Sequence, residues 1–272
     1  MQLSSVGQLS ITPDDANVIL FNSHHCIEEI ISLKKSYPHK VFIHRVDGPM
    51  RLYNEMSDGR DAIVYNLNAK IADGTIFQSQ FSLDSNKALG LTIKGPVKVI
   101  PNAVDSSVFY PNPQKLSRRK IKIISSSFSP NIKKGFQTYK FLDENLDFNL
   151  FEYSFVGQSP YQFKNIRCLG VLSSGDLAQA LRENHIYITA SQNDPCSNSL
   201  IEAVFSGLTC FALNSGGHPE LLEVGDSLFD TPEELLQKLI SFREGFQPHY
   251  VALSNSLEKT TMEYSIFMES LL

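Results

Sequence analysis

Short apolar runs of strand length alternate with stretches of helix length along nearly the whole chain, the pattern of parallel sheets covered by helices. In the first part strands are expected at 18–21, 41–44, 75–78 and 97–100, with helices at 26–35, 51–72 and 82–91. The long middle helix is expected to break at Asp58-Gly59. Beyond 120 the alternation is cleaner, with strands at 121–125, 153–156, 166–168, 186–189, 209–213 and 227–229 and helices at 135–145, 176–183, 199–205, 218–223 and 232–243. Helix starts agree with this reading: Thr231-Pro232-Glu233-Glu234 supplies a cap, a proline at the first helical position and acids in the first turn. Ser174 and Asp176 open LAQALREN in a similar way, and the final segment, 253–272, reads as a helix that packs on one domain or the other.

The stretch 110–120, YPNPQKLSRRK, has two prolines, basic residues and no apolar period, so it reads as a connection between domains. The expected class is α/β: a Rossmann-like first lobe at 1–112, a second at 119–250, and a terminal helix at 251–272. A length of 272 residues, 42% of them hydrophobic, suffices for two cores. A net charge of -5 provides no broad positive field, which argues against nucleic acid as a partner. Cys26, Cys168, Cys196 and Cys210 form no C-x2-C pair and follow no charged-then-apolar leader, so a reduced, cytoplasmic setting is expected. Apolar runs such as IYITA stop well short of the roughly 20 residues a membrane span requires, although peripheral membrane contact stays open. No metal-binding cluster of His, Cys or carboxylates is apparent, and none is expected.

In doubly wound sheets, ligands bind outside the carboxyl ends of the strands, where amides at helix starts face anions. Four loops of the second half fall there: SSSFSPNIKKG with Lys133 and Lys134, the segment 169–174, SQNDPCSNS with Asp194, and NSGGHPE with Gly216 and Gly217. Together they offer an ammonium group, free amides, two carboxylates and close backbone approach, a set suited to a sugar nucleotide. Plainer readings remain open for each part. Ser199-Leu200-Ile201-Glu202 also fits a capping box in which Glu202 folds back on the cap. Asp194 before Pro195 fits a turn, and Lys133-Lys134 fits a solvated face.

The residues resemble the retaining glycosyltransferases of family four, which have the two-lobed GT-B architecture. The resemblance rests on an acid, seven residues and a glutamate, here Asp194 to Glu202, followed by Gly216-Gly217-His218-Pro219-Glu220. Lys134-Gly135 is similar to the family's phosphate-binding K-G, and 100–105, IPNAVD, to its I-P-N-G-V-D loop. It implies two lobes facing across a cleft, the first one shortened. It also implies a sugar nucleotide, UDP- or GDP-linked, as co-substrate with no separate cofactor. Glu202 would hold the ribose, Asp194 the sugar hydroxyls and Lys134 the departing diphosphate. Ser197, Asn198 and Ser199 would present amides, with Lys133, Gly216 and Gly217 beside the donor and Val171 against the base. On the first lobe Asp47 or His44 would lie near the acceptor hydroxyl, with Asn102 and Arg45 on the acceptor side or Arg45 instead at phosphate.

Three departures stand out. Asp194 replaces the usual glutamate, the arginine expected before the lysine is replaced by Phe128 and Ser129, and the glycine-rich loop that opens the family's first lobe has no counterpart after Met1. The implied activity is transfer of a hexose to a glycan, lipid or small-molecule acceptor with retention of configuration, in a setting such as cell-surface polysaccharide biosynthesis. The short first lobe raises two alternatives: a catalytically weak nucleotide-sugar-binding or regulatory subunit, or a chain completed by a partner. An epimerase on the same scaffold is a third reading.

Overall fold

The computed structural model describes residues 9–10, 12–53, 58–112, 117, 119–222, 225–245 and 255–272. Parts of four expected elements lie outside the described residues: the middle of the 110–120 connection, 54–57 of the long helix, the end of the 218–223 helix, and the start of the terminal helix, 251–254. The chain divides into two compact units, Met1–Ala103 with Asn255–Leu272, and Val104–Ser254.

In the first unit the chain runs β1 (Val18–Asn22), α1 (Ile27–Ser36), β2 (Val41–Val46), α2 (Met50–Tyr53), α3 (Arg60–Ile71), β3 (Gly74–Phe77), α4 (Gln80–Ala88) and β4 (Val97–Val99). The expected break at Asp58-Gly59 falls where α3 begins, with Gly59 at φ 83°. The four strands form a parallel sheet in the order β1-β2-β3-β4. Alternate residues face opposite layers, as the two-residue period of a strand requires. Phe21 and Phe42 pack with Ile30, Leu67 and Ile71 from α1 and α3. Ile43 and Ile76 pack with Tyr264 and Phe267 of α10 (Leu257–Glu269), which returns to this unit from the end of the chain.

In the second unit the chain runs β5 (Ile121–Ser127), α5 (Phe136–Asn145), β6 (Phe151–Gly157), β7 (Arg167–Gly170), α6 (Ser174–Arg182), β8 (Ile186–Thr189), α7 (Asn198–Phe205), β9 (Thr209–Leu213), α8 (His218–Leu222), β10 (Leu228–Phe229) and α9 (Pro232–Arg243). Six parallel strands lie in the order β10-β9-β8-β5-β6-β7. Ile123, Ile186, Ile188 and Phe211 enter one core, while Ile124, Tyr187, Cys210 and Ala212 enter the other. Burial on both faces explains why these strands read as unbroken apolar runs. Thr231 caps α9 by accepting from the Glu234 amide at 3.2 Å, with Pro232 at the first helical position.

The division after Ala103 falls earlier than the expected 112–119 boundary because Val104 and Phe109 are buried in the second unit's core. Among the described residues no helix is long and apolar enough to cross a membrane.

Candidate functional site

The order of the second sheet fixes where a ligand can sit. From β5 the chain winds outward to β6 and β7, then crosses back to β8 and continues through β9 to β10. The winding direction reverses between β5 and β8, and the crevice at the carboxyl ends of such a pair is where doubly wound sheets bind ligands. Only two register pairs join the strands, Ile123 with Ile186 and Ile124 with Tyr187. Beyond them side chains replace the ladder: Ser125 Oγ donates to the Ile188 carbonyl at 2.7 Å, and Ser126 Oγ lies 3.1 Å from the Tyr187 hydroxyl.

The loops that follow these two strands are tied together. After β5, Asn131 accepts from the Lys133 amide at 2.9 Å and opens a single 3-10 turn, Ile132–Lys134. Gly135 then adopts φ 83°, and a Cβ there would stand 2.3 Å from the Ala190 carbonyl oxygen just past β8, so only glycine allows this approach. The Gln192 amide donates to the Lys133 carbonyl at 2.7 Å, and Lys133 Nζ donates to Gln192 Oε1 at 3.2 Å. Lys134 Nζ reaches Asp194 Oδ2 at 3.1 Å, with both side chains largely buried. The other Asp194 oxygen accepts from the Cys196 amide at 3.2 Å. Lys134 and Asp194 are thus brought together from opposite sides of the winding reversal.

The Gly216-Gly217 turn, between β9 and α8, packs on the same acid. Gly217 N–H donates to the Asp194 carbonyl at 2.8 Å. Gly216 has φ 64°, and a Cβ on it would meet the Asp194 carbonyl oxygen at 2.4 Å and nitrogen at 2.7 Å. Three of the four expected loops therefore converge on Asp194. The fourth is represented by Val171, exposed at the carboxyl end of the edge strand β7.

Helix α7 decides between two readings of Glu202. Its cap is Ser197, which accepts from the Leu200 amide, so the helix begins ahead of Ser199 and Glu202 lies more than a turn inside. The capping box is therefore not formed. Ser199 Oγ lies instead 3.1 Å from Ser197 Oγ, and Asn198 is exposed at the first helical position. Burial pushes the Glu202 carboxyl up to about 7, from an ordinary 4.5. Between about pH 4.5 and 7 the fold thus holds a proton on Glu202 that the unfolded chain has given up. This contribution to stability is complete below about pH 4.5 and is lost as pH rises through about 7.

A second polar network occupies the strand ends of the first sheet. Arg45 donates to Asn22 Oδ1 and Asp47 Oδ1, both at 2.9 Å, and to Asn102 Oδ1 at 2.7 Å. Gln78 donates to Asp47 as well, and Asn86 donates to the Asp47 carbonyl at 2.9 Å. Asn22 closes β1, Asp47 follows β2, Gln78 follows β3 and Asn102 lies beyond β4, so Arg45 joins three strand ends directly and the fourth through Asp47.

His44 does not join this network, which corrects its expected place on the acceptor side. It is fully buried and stacked on Phe21 with ring centroids 4.3 Å apart. Its Nε2 meets the Ser23 carbonyl at 2.9 Å, and Asn68 donates toward its Nδ1 at 3.3 Å. The alternation of β2 explains the placement: Arg45 points one way from the strand and His44 the other. Burial lowers the imidazole to about 4, against an ordinary 6.5. The folded state thus keeps His44 neutral where the unfolded chain would protonate it, so this stability is present above about pH 6.5 and is lost as pH falls through about 4. Because Glu202 gains stability over the same range, the His44 contribution is read as a difference: in urea unfolding between pH 7 and 4.5, wild type is expected to lose stability relative to His44→Gln, and a constant difference between the two would place the acid sensitivity elsewhere.

Sequence reasoning missed four residues here: Asn22, Gln78, Gln192 and His218. The first two carried a signal, a polar residue closing an apolar strand. His218 is fully buried, and its Nδ1 meets the Leu213 carbonyl at 2.9 Å, which places the ring proton on Nδ1. Burial lowers its proton affinity, partly opposed by the charge of Asp194. Among the described residues no group of three His, Cys, Asp or Glu side chains gathers so as to hold a metal ion.

No protein-family model and no curated protein matches the chain. Solved structures do match. HepE of Anabaena, solved with UDP and glucose, aligns at a TM-score of 0.78 with 16% identity, covering 98% of this chain and 81% of HepE. A sucrose-phosphate synthase from Thermosynechococcus elongatus aligns at 0.74 with 14% identity, covering 94% of this chain and 74% of that one. An alpha,alpha-trehalose 6-phosphate synthase from Burkholderia multivorans aligns at 0.65 with 13% identity, over 99% and 74% respectively. The fold is GT-B. At these identities the likeness speaks for the fold of two Rossmann-like units and for nothing finer.

Proposed function

We propose that this protein transfers a hexose from a nucleoside diphosphate sugar to an acceptor hydroxyl with retention of anomeric configuration. The observation that carries the reading is the Lys134–Asp194 pair at the winding reversal, 3.1 Å apart, with the half-buried Glu202 carboxyl one helical segment away. Lys134 neutralises Asp194. A diphosphate is a stronger partner for the ammonium group, so donor binding draws Lys134 to phosphate and leaves Asp194 able to accept bonds from sugar hydroxyls. Ser197, Asn198 and Ser199 present the first amides of α7 to the donor, and Val171 lies against its base. Arg45, Asp47 and Asn102 are assigned to the acceptor.

In the proposed step the bond between the anomeric carbon and the phosphate oxygen breaks, and the acceptor oxygen bonds to that carbon from the same face. The acceptor proton passes to the departing phosphate oxygen, so no enzyme nucleophile is consumed. Lys134 acts by offsetting the negative charge that grows on the leaving group. HepE was solved with UDP and with UDP-glucose, and a trehalose-6-phosphate structure from E. coli with UDP-2-fluoro glucose, which makes UDP-glucose the first donor to test. The test is calorimetric titration followed by detection of UDP release over a panel of acceptors, with product configuration read by NMR. Binding and acceptor-dependent release support transfer. Binding without release across the panel supports the sugar-nucleotide-binding subunit, and absence of binding for both UDP- and GDP-sugars ends the reading.

Glu202 is assigned to the ribose hydroxyls, as a carboxylate that accepts both. Glu202→Ala is expected to weaken UDP-glucose binding by about 1–3 kcal/mol, the cost of leaving buried hydroxyls without partners. Because the free carboxyl titrates near 7, wild-type affinity is expected to fall about tenfold per pH unit below that value, with proton release on binding. Glu202→Gln is expected to remove the pH dependence. An affinity that is flat from pH 5.5 to 8 in wild type would leave Glu202 without this role.

A further inference from the structure

Helices α1 and α3 lie side by side on one face of the first sheet, and a groove of about 480 Å³ runs between them. Its apolar lining includes Ile27 and Ile31 from α1 with Ile63 and Leu67 from α3. Ile31 and Ile63 are 38% and 37% exposed, large aliphatic groups left at the surface. Each charged residue lining the groove is a lysine: Lys34 and Lys35 in the last turn of α1, and Lys70 in the last turn of α3. Lys34 also pairs with Asp73 at 3.0 Å and lies over the Phe42 ring, while Lys35 and Lys70 are exposed. The exposed Glu28 and Glu29 sit at the opposite end of α1 from these lysines.

This concentration of positive charge stands out on a chain whose net charge is -5. A cationic, aliphatic surface complements an anionic amphiphile. We propose that the α1–α3 face docks this protein on a membrane surface containing anionic lipids. Ile31 and Ile63 enter the boundary between head groups and acyl chains, while Lys35 and Lys70 meet the head groups. This pairing of apolar burial with lysine–lipid attraction holds peripheral proteins at bilayers. The inference is independent of the sugar-transfer reading, since none of these residues belongs to that site.

The test is sedimentation of the full chain with phosphatidylcholine vesicles, with and without phosphatidylglycerol. Binding is expected only to the anionic vesicles and is expected to weaken as salt is raised. Lys35→Ala with Lys70→Ala is expected to lower the partition coefficient about 25-fold, about fivefold per lysine. Ile31→Ser with Ile63→Ser is expected to lower it too, and thermal unfolding of each variant verifies that it is folded. The proposal is overturned by failure of wild type to bind anionic vesicles, by equal binding to both vesicle types, or by folded lysine variants that bind as wild type does. It is also overturned if monomeric dodecyl phosphate binds at this face while vesicles do not, since the groove would then serve a soluble amphiphile.

Discussion

Lys134→Ala is expected to cost this protein both its activity and part of its stability, and the two losses are separable. The pair it breaks is largely buried, so the variant leaves the Asp194 carboxylate without its ammonium partner in a poorly hydrated place. Removing one member of a buried pair typically costs about 3–5 kcal/mol, more than the intact pair contributes over two neutral groups. Catalytically, loss of a charge aimed at a developing oxyanion lowers kcat by about 10²–10³-fold. Adding Asp194→Asn to Lys134→Ala removes the stranded charge and is expected to restore most of the stability without restoring transfer. Urea unfolding and UDP-glucose turnover on the two variants provide the comparison. If Lys134→Ala transfers sugar within tenfold of wild type, the lysine does not stabilise the leaving group.

Much of this arrangement was legible in the sequence, for a physical reason. The strands of the second unit are buried on both faces, so β8 and β9 appear as apolar runs whose ends coincide with the observed ones, 186–189 and 209–213. Each run stops where the backbone leaves the sheet, which is where a ligand loop begins. Lys134, Asp194 and Gly216 could therefore be placed at one sheet edge from spacing alone, although the sequence gives no distance between them. Glu202 was ambiguous because a capping box depends on which residue starts the helix. Ser197 and Ser199 are both adequate caps, and the choice is made by the tertiary position of the preceding loop.

His44 shows a different limit. A histidine, an arginine and an aspartate crowded at a strand end look like one polar cluster, yet alternation sends Arg45 into the network and His44 against Phe21. The register of β2 decides which residue faces which layer, and a run as apolar as VFI offers no polar position from which to read it. The terminal helix was similarly underdetermined: its pattern announces a face to bury but not what it is buried against. The partner is the first sheet, through Tyr264 and Phe267.

What holds Asp194 in position is backbone contact, and this leads to the second large expected effect. Gly216→Ala adds a methyl group where the Asp194 backbone already stands, with the carbonyl oxygen 2.4 Å and the nitrogen 2.7 Å from the new Cβ, and it forces a left-handed conformation on alanine. The conformational part alone costs about 1–2 kcal/mol. The steric part cannot be relieved by turning a side chain, so the loops must separate, and overpacking of this kind adds typically 1–3 kcal/mol. Gly170→Ala provides the control within the same unit, since Gly170 has φ 72° but open space around the added carbon. Gly170→Ala is expected to show the conformational cost only, while Gly216→Ala is expected to lose about 3 kcal/mol in total. It is also expected to move Asp194 away from Lys134, and so to lose UDP-glucose turnover well beyond what its stability explains at temperatures where it remains folded. Equal destabilisation by the two substitutions, or full turnover in Gly216→Ala, would mean that the glycine turn does not position the acid.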